Sequence, residues 1–79
     1  MARYDVAFLL VPRFSMIALY GALEPLRVAN RFAGADTFSW RFLSANGQPV
    51  AASNDIPVSV SGGLGDIGKP DMAVISASY

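Results

Sequence analysis

The stretch FSMIALYGALEPLRVAN, residues 14–30, directly follows the apolar run VAFLLV at residues 6–11. Continuous apolar character over residues 4–11 predicts a central parallel strand that is covered on both faces. Pro12 ends this strand, and Ser15 can cap a helix through its hydroxyl. A strand that enters a helix after a single turn is the first unit of a layered α/β domain. Because ligands of such domains bind where strand ends meet helix starts, the stretch also predicts the edge of a site.

One row of the predicted helix is apolar at three- and four-residue spacing. It contains Leu19, Leu23, Leu26 and Ala33, with Asn30 in the same row. Such a row predicts one buried stripe along the helix.

A neighbouring row of the helix is charged. Glu24 is placed to pair with Arg27 three residues further on. Pro25 should kink the helix or start its straight second half, and Gly34 predicts its end.

The rest of the chain predicts further strands and one long loop. Alternation and aromatic residues over residues 37–44 predict a second strand, and Asn46-Gly47 predicts a tight turn. Further along, the pattern predicts a small marginal hairpin from residues 50–53 and 56–60, a glycine-rich loop at 61–69 with at most one helical turn, and a third buried strand at 72–76. The sequence therefore predicts an α/β fold with a mostly parallel sheet and a small hairpin at its margin.

The glycine-rich loop matches two phosphate-binding patterns by letter. GLGDIG at residues 63–68 fits G-x-G-x-x-G, and residues 63–69 fit G-x-x-x-x-G-K. Both patterns need a strand, the loop and then a helix whose N–H groups hold the phosphates. Here Pro70 follows, where a phosphate loop has Ser or Thr, and a strand comes next. The loop is therefore interpreted as a connector and not as a nucleotide site.

Composition excludes several functions for this segment. Six basic and six acidic residues give zero net charge, whereas nucleic-acid modules are usually basic. Without cysteine or histidine the segment has no thiolate metal site and no cysteine nucleophile, and we expect no metal and no cofactor. With 53% hydrophobic and 15% charged residues, against about 25% charged in average domains, we expect part of a larger domain or a covered surface. The short first apolar run is neither a membrane span nor a signal peptide, so we expect a cytoplasmic protein without a membrane partner.

Three groups of residues carry a resemblance to a known family. Phe14-Ser15-Met16, the string EPLR at residues 24–27, and Ala29-Asn30 resemble the opening helix of GlxA-type regulators of the AraC family. The N-terminal half of those regulators is similar to the class I glutamine amidotransferase-like superfamily, in its PfpI/ThiJ branch. The resemblance implies a flavodoxin-like three-layer sandwich, of which residues 1–79 would be the N-terminal half.

The same resemblance implies a function. It implies a sensor domain that binds an unidentified small-molecule effector, forms a homodimer, and controls DNA binding by a C-terminal helix-turn-helix region that is absent here. Enzymes of the superfamily carry an acidic residue where this chain has Ala18, and alanine cannot exchange a proton. They also have a glycine pair after the third strand, where this chain has Ala77-Ser78. We therefore expect no catalytic residues and no enzyme activity.

Two alternatives stay open at this point. One is an active amidase, hydratase or peptidase-like enzyme of the same fold, and the other is a ligand-free module that dimerises through its apolar helix. Glu24 and Arg27 are either a solvated pair or part of an interface or pocket wall.

The predicted ligand site lies at the carboxyl ends of the first and third strands. Its candidate residues are Pro12, Phe14, Ser15, Ser76 and Ala77. Ser15 can serve there as a ligand contact or, alternatively, as the helix cap, and Phe14 as pocket or core.

Overall fold

The computed structural model describes residues 3–77. In chain order its elements are β1 (Tyr4–Leu10), α1 (Met16–Ala33), β2 (Phe38–Ser44), β3 (Val50–Ala51), β4 (Pro57–Val58), β5 (Gly62–Gly63), a 3₁₀ turn (Leu64–Asp66) and β6 (Met72–Ser76). Among these residues, no helix combines the length and the apolar character that a membrane span requires.

Strand β1 lies inside a four-stranded parallel sheet with the order β5-β2-β1-β6. Val6 is in register with Trp40 of β2 on one side and with Met72 of β6 on the other. Strands β3 and β4 form a separate antiparallel pair. The predicted α/β fold, with a mostly parallel sheet and a small hairpin, is confirmed. The chain crosses from one side of β1 to the other, so the carboxyl ends of β1 and β6 form a topological switch point.

Helix α1 begins and ends as its sequence predicts. The Ser15 hydroxyl accepts a hydrogen bond from the backbone N–H of Ala18 at 3.3 Å, which satisfies one of the free donors of the first turn. Gly34 ends the helix in the left-handed conformation with φ 66°, which costs glycine little because it has no Cβ. Pro25 lies inside the helix, which continues through it for 18 residues in all.

The buried row of α1 is shorter than predicted. Leu19 is fully buried, whereas Leu23 and Leu26 are half-buried. Asn30 joins the helix to the sheet, because its amide group donates to the carbonyl oxygen of Phe38 and accepts from the Phe38 N–H, both at 2.8 Å. The prediction for Ala33 was wrong: it is exposed, since it lies almost one turn beyond the Asn30 contact.

The core forms between α1 and one face of the sheet. Val6, Phe8 and Leu10 alternate along β1 and therefore point to the same face. Phe14 and Leu19 pack against them from the helix side. The strand-to-helix unit that opens the chain thus supplies most of the fully buried apolar side chains.

The glycine-rich loop at residues 61–69 has more structure than predicted. It supplies the short strand β5 before its single 3₁₀ turn. The Asp66 carboxylate accepts from the Gly63 N–H at 2.9 Å. Arg41 donates to the Asp66 carbonyl at 2.8 Å and pairs with Asp5 at 3.0 Å. The loop is therefore tied to the sheet and leads into β6, without the helix that phosphate binding needs.

Candidate ligand site

A cavity of about 320 Å³ opens at the carboxyl ends of β1 and β2, with β3 as its outer wall. This volume is at the lower end of the range for small-molecule pockets. The residues around it share one property, which is that none is charged: Leu10, Pro12, Ser44, Ala45, Asn46, Gln48, Pro49, Val50 and Ala51. The cavity therefore offers apolar contact and neutral hydrogen-bonding groups.

The turn after β2 forms the polar side of the cavity. Ser44 is almost fully buried, and its hydroxyl donates to the carbonyl oxygen of Gln48 at 2.8 Å. The side-chain oxygen of Asn46 accepts from the Gln48 N–H at 3.0 Å. Gly47 has φ 77°, as the predicted tight turn requires. These bonds leave the Asn46 amide N–H₂ group without a hydrogen-bond acceptor within residues 3–77.

The outer wall is fastened to the turn between β1 and α1. The Arg13 N–H donates to the Ala51 carbonyl and the Ser53 N–H to the Phe14 carbonyl, both at 2.8 Å. The Arg13 guanidinium also pairs with Asp55 at 2.8 Å and donates to the Ser53 carbonyl at 3.0 Å. Arg13 and Asp55 have φ 67° and 66°, which is uncommon for residues other than glycine. We call these contacts between the turn at Arg13 and residues 51–55 the clamp; no local sequence pattern predicts it, because none marks Arg13 for a left-handed backbone.

The five predicted ligand residues do not all lie at this cavity. Pro12 lines it. Phe14 is fully buried in the core, and the Ser15 hydroxyl is occupied as the helix cap. Ser76 is buried, and its carbonyl oxygen accepts from the N–H of Val11, the residue after β1, at 2.9 Å; Ala77 is exposed.

Ala18, the position that bears on catalysis, does not line the cavity. Ala18 is exposed in the first turn of α1, a turn without acidic residues. Ser78 lies outside the described residues. Within residues 3–77, no three Asp or Glu side chains group together as metal ligands would.

Glu24 and Arg27 form an ion pair on the surface of α1. The guanidinium binds both carboxylate oxygens, at 2.6 and 3.2 Å, and about half of each side chain is exposed. This hydrogen bonding lowers the pKa of the Glu24 carboxyl and raises the pKa of Arg27. The predicted pairing is confirmed.

Comparison with known proteins identifies relatives among transcriptional regulators. No protein-family model matches the chain. The HTH-type transcriptional regulator CdhR of Pseudomonas aeruginosa is 47% identical over 95% of this chain, and GbdR from two strains of that species is 33% identical over 90%. The chain spans 22% and 19% of the length of these relatives.

A solved structure supports the same assignment. The crystal structure of an AraC family transcriptional regulator from Pseudomonas putida superposes with a TM-score of 0.84 at 26% identity, covering 96% of this chain and 48% of that one. This chain is therefore a homologue of HTH-type transcriptional regulators, with the fold of an AraC-family member.

Proposed function

We propose that this chain is the effector-sensing part of an AraC-type transcriptional regulator of the GlxA type. In this proposal it corresponds to the first half of a class I glutamine amidotransferase-like domain. The observation that carries the proposal is the 47% identity to an HTH-type regulator over nearly the whole chain. An attached helix-turn-helix region would bind DNA, since zero net charge suits this segment poorly to phosphate contacts.

The cavity beside Pro12 is the proposed effector site. It is a concave, mostly apolar space with a few fixed polar groups, which is the usual character of small-molecule sites. The Ser44 hydroxyl stiffens its polar wall by bonding to Gln48, and Asn46 offers an amide donor at its edge. An effector with a polar, hydrogen-bond-accepting group and a compact apolar body would match this lining.

The clamp at Arg13 connects the proposed effector site to the start of helix α1. A ligand that contacts Ala51 touches the strand whose carbonyl accepts from the Arg13 N–H. Arg13 lies two residues before Ser15, which caps α1. An effector that binds one position of β3 more tightly than another would also shift the equilibrium between the corresponding positions of α1. The size of that shift, as a free energy, equals the difference in affinity.

The proposed sensor is not an enzyme. The sequence lacks cysteine and histidine, and Ala18 stands where the superfamily's enzymes have an acid. No His, Cys, Asp or Glu lines the cavity, and the one hydroxyl there, on Ser44, donates to the Gln48 carbonyl and has no general base beside it among the described residues. The relatives are transcriptional regulators, which supports the same view.

Ligand screening of the protein at its natural length tests the proposal. Small amines and amino acids are screened for a reproducible rise in melting temperature, since a ligand at 100 times its Kd stabilises the folded state by about 2.7 kcal/mol. The variant A45W fills the cavity, and A22W places the same side chain on the exposed surface of α1.

The expected result is a ligand-induced rise that A45W loses and A22W keeps, together with a changed affinity of the protein for its DNA. A ligand that stabilises A45W as strongly as the unsubstituted protein would refute the cavity as the effector site. Amide hydrolysis that disappears on substituting a cysteine elsewhere in the protein would refute the non-catalytic role.

A further inference from the structure

The turn after β2 contains an asparagine followed by a glycine at the edge of the cavity. Asn46 is exposed and lines the cavity, and Gly47 has φ 77°. The side chain of an asparagine can cyclise with the backbone nitrogen of the next residue. A following glycine favours this reaction because it places no side chain beside that nitrogen. In a folded protein, the contacts of the turn decide whether the reaction proceeds.

The side-chain carbonyl of Asn46 is the group that such a reaction attacks. Its oxygen accepts a hydrogen bond from the Gln48 N–H at 3.0 Å. This bond folds the side chain over the following residue, and the ring that it closes contains the Gly47 nitrogen. Attack on the side-chain carbon transfers negative charge to the oxygen, and the Gln48 N–H already points at that oxygen and stabilises the charge.

The backbone nitrogen of Gly47 is the attacking atom, and it is uncovered. Its N–H donates to no hydrogen-bond acceptor within residues 3–77. Gly63 of β5 lies beside it, and a Cβ atom on Gly63 would come within 3.2 Å of this nitrogen. Because neither glycine has a side chain, nothing on these two residues shields the nitrogen.

The other two asparagines of the chain lack this combination. In Asn30 both polar groups of the amide are bonded to the backbone of β2. Asn54 makes the same kind of bond as the asparagine beside the cavity, because its oxygen accepts from the Ile56 N–H at 3.1 Å. The N–H of Asp55, however, donates to the Ala52 carbonyl at 2.9 Å, and aspartate carries a side chain. Asn54 is therefore an internal reference for the effect of the attacking nitrogen.

We propose that Asn46 is a site of spontaneous deamidation in the folded protein. The Gly47 nitrogen loses its proton to water and attacks the side-chain carbon of Asn46. The bond from that carbon to the amide nitrogen breaks, and the nitrogen takes up a proton and leaves as ammonia. The resulting succinimide ring adds a water molecule and opens to aspartate or isoaspartate at position 46. The reaction consumes only water.

Deamidation of Asn46 changes the cavity in two ways. It replaces the amide N–H₂ donor with a carboxylate, which only accepts hydrogen bonds. It also introduces a negative charge into a lining that has no charged residue. An effector that presents a hydrogen-bond-accepting group loses its donor and meets a like dipole or charge. This consequence rests on the proposed effector site, whereas the reaction itself does not.

Peptide mapping by mass spectrometry tests the reaction on the protein at its natural length. The folded protein is incubated at neutral pH and sampled over time, and a second sample is incubated unfolded in urea. We expect aspartate and isoaspartate to accumulate at position 46 of the folded protein and not at positions 30 and 54.

Two alanine variants separate the folded turn from the bare sequence pair Asn-Gly. G63A places a Cβ beside the Gly47 nitrogen, whereas G65A, in the same loop, places one in open space. Gly63 has φ −97°, which alanine adopts without strain, so G63A is expected to fold. We expect G63A to slow the reaction severalfold in the folded protein and G65A to leave it unchanged. In urea neither variant should differ from the unsubstituted protein.

The consequence for binding has its own measurement. N46D represents the aspartate product, and N54D introduces the same charge away from the cavity lining. We expect N46D to reduce the ligand-induced rise in melting temperature and N54D to leave it unchanged. If N46D keeps the rise while A45W loses it, the proposed site stands and the consequence is refuted. If A45W keeps the rise, the proposed site itself is refuted.

Two results would overturn the deamidation site. One is an Asn46 that reacts in urea but stays intact in the folded protein, which would show that the turn protects it. The other is an equal rate in folded G63A and the folded unsubstituted protein, which would show that the uncovered Gly47 nitrogen does not control the reaction.

Discussion

Substituting Arg13 with alanine and with glycine separates two properties of the clamp beside the cavity. The Arg13 side chain pairs with Asp55, and the two side chains are 63% and 80% exposed. An exposed pair of this kind contributes about 0.2–1 kcal/mol. Arg13 also holds φ 67°, and a left-handed backbone costs a residue with a Cβ about 1–2 kcal/mol. Both variants lose the ion pair, but only glycine removes the backbone cost.

The expected difference follows from these two contributions. R13A should lower the free energy of unfolding by about 1 kcal/mol, because the pair and the bond to the Ser53 carbonyl are lost. R13G should be more stable than R13A by about 1 kcal/mol, after allowing for the greater freedom of glycine in the unfolded chain. R13G should therefore lie close to the unsubstituted protein.

Urea unfolding followed by circular dichroism measures the difference, with equal slopes showing that only stability has changed. A double-mutant cycle of R13A with D55A should give a coupling energy of about 0.2–1 kcal/mol that falls in high salt. If R13A is as stable as R13G, the backbone at position 13 is not left-handed and the reasoning fails. A coupling energy that salt does not change would show that Arg13 and Asp55 are not a solvated pair.

Three further substitutions test the helix and its charges. N30A removes both hydrogen bonds to the Phe38 backbone and should lower the free energy of unfolding in urea by about 1–3 kcal/mol. A loss below about 0.5 kcal/mol would contradict these two hydrogen bonds. G34A places a Cβ at φ 66° and should cost about 1 kcal/mol by the same measurement, whereas an unchanged midpoint would argue against the cap. Arg27 lowers the pKa of Glu24 in the folded state. The ion pair therefore contributes to folding stability at pH values above the unfolded pKa of Glu24, and this contribution is lost as pH falls through the folded pKa. NMR titration should find the Glu24 pKa lowered and restored to its ordinary value in R27Q, and an unperturbed pKa would exclude the pair in solution.

Sequence patterns predicted β1, α1 and β2 well because these elements depend on local features. A continuous apolar run sufficed for β1. The hydroxyl of Ser15 and the missing Cβ of Gly34 act within one helical turn of their own positions. The short strand β5 was missed because Gly62–Gly63 has no side chains to form a pattern. It joins the sheet beside the turn after β2, where the backbone nitrogen of Gly47 would lie 3.2 Å from a Cβ on Gly63.

The position of the cavity could not be read from local patterns. The rule for parallel sheets favoured the ends of β1 and β6, and Pro12 at the end of β1 does line the cavity. The other wall comes from β3, whose place depends on a long-range bond between the Arg13 N–H and the Ala51 carbonyl. Arg13 makes this bond with a left-handed backbone, and no propensity of arginine predicts that backbone.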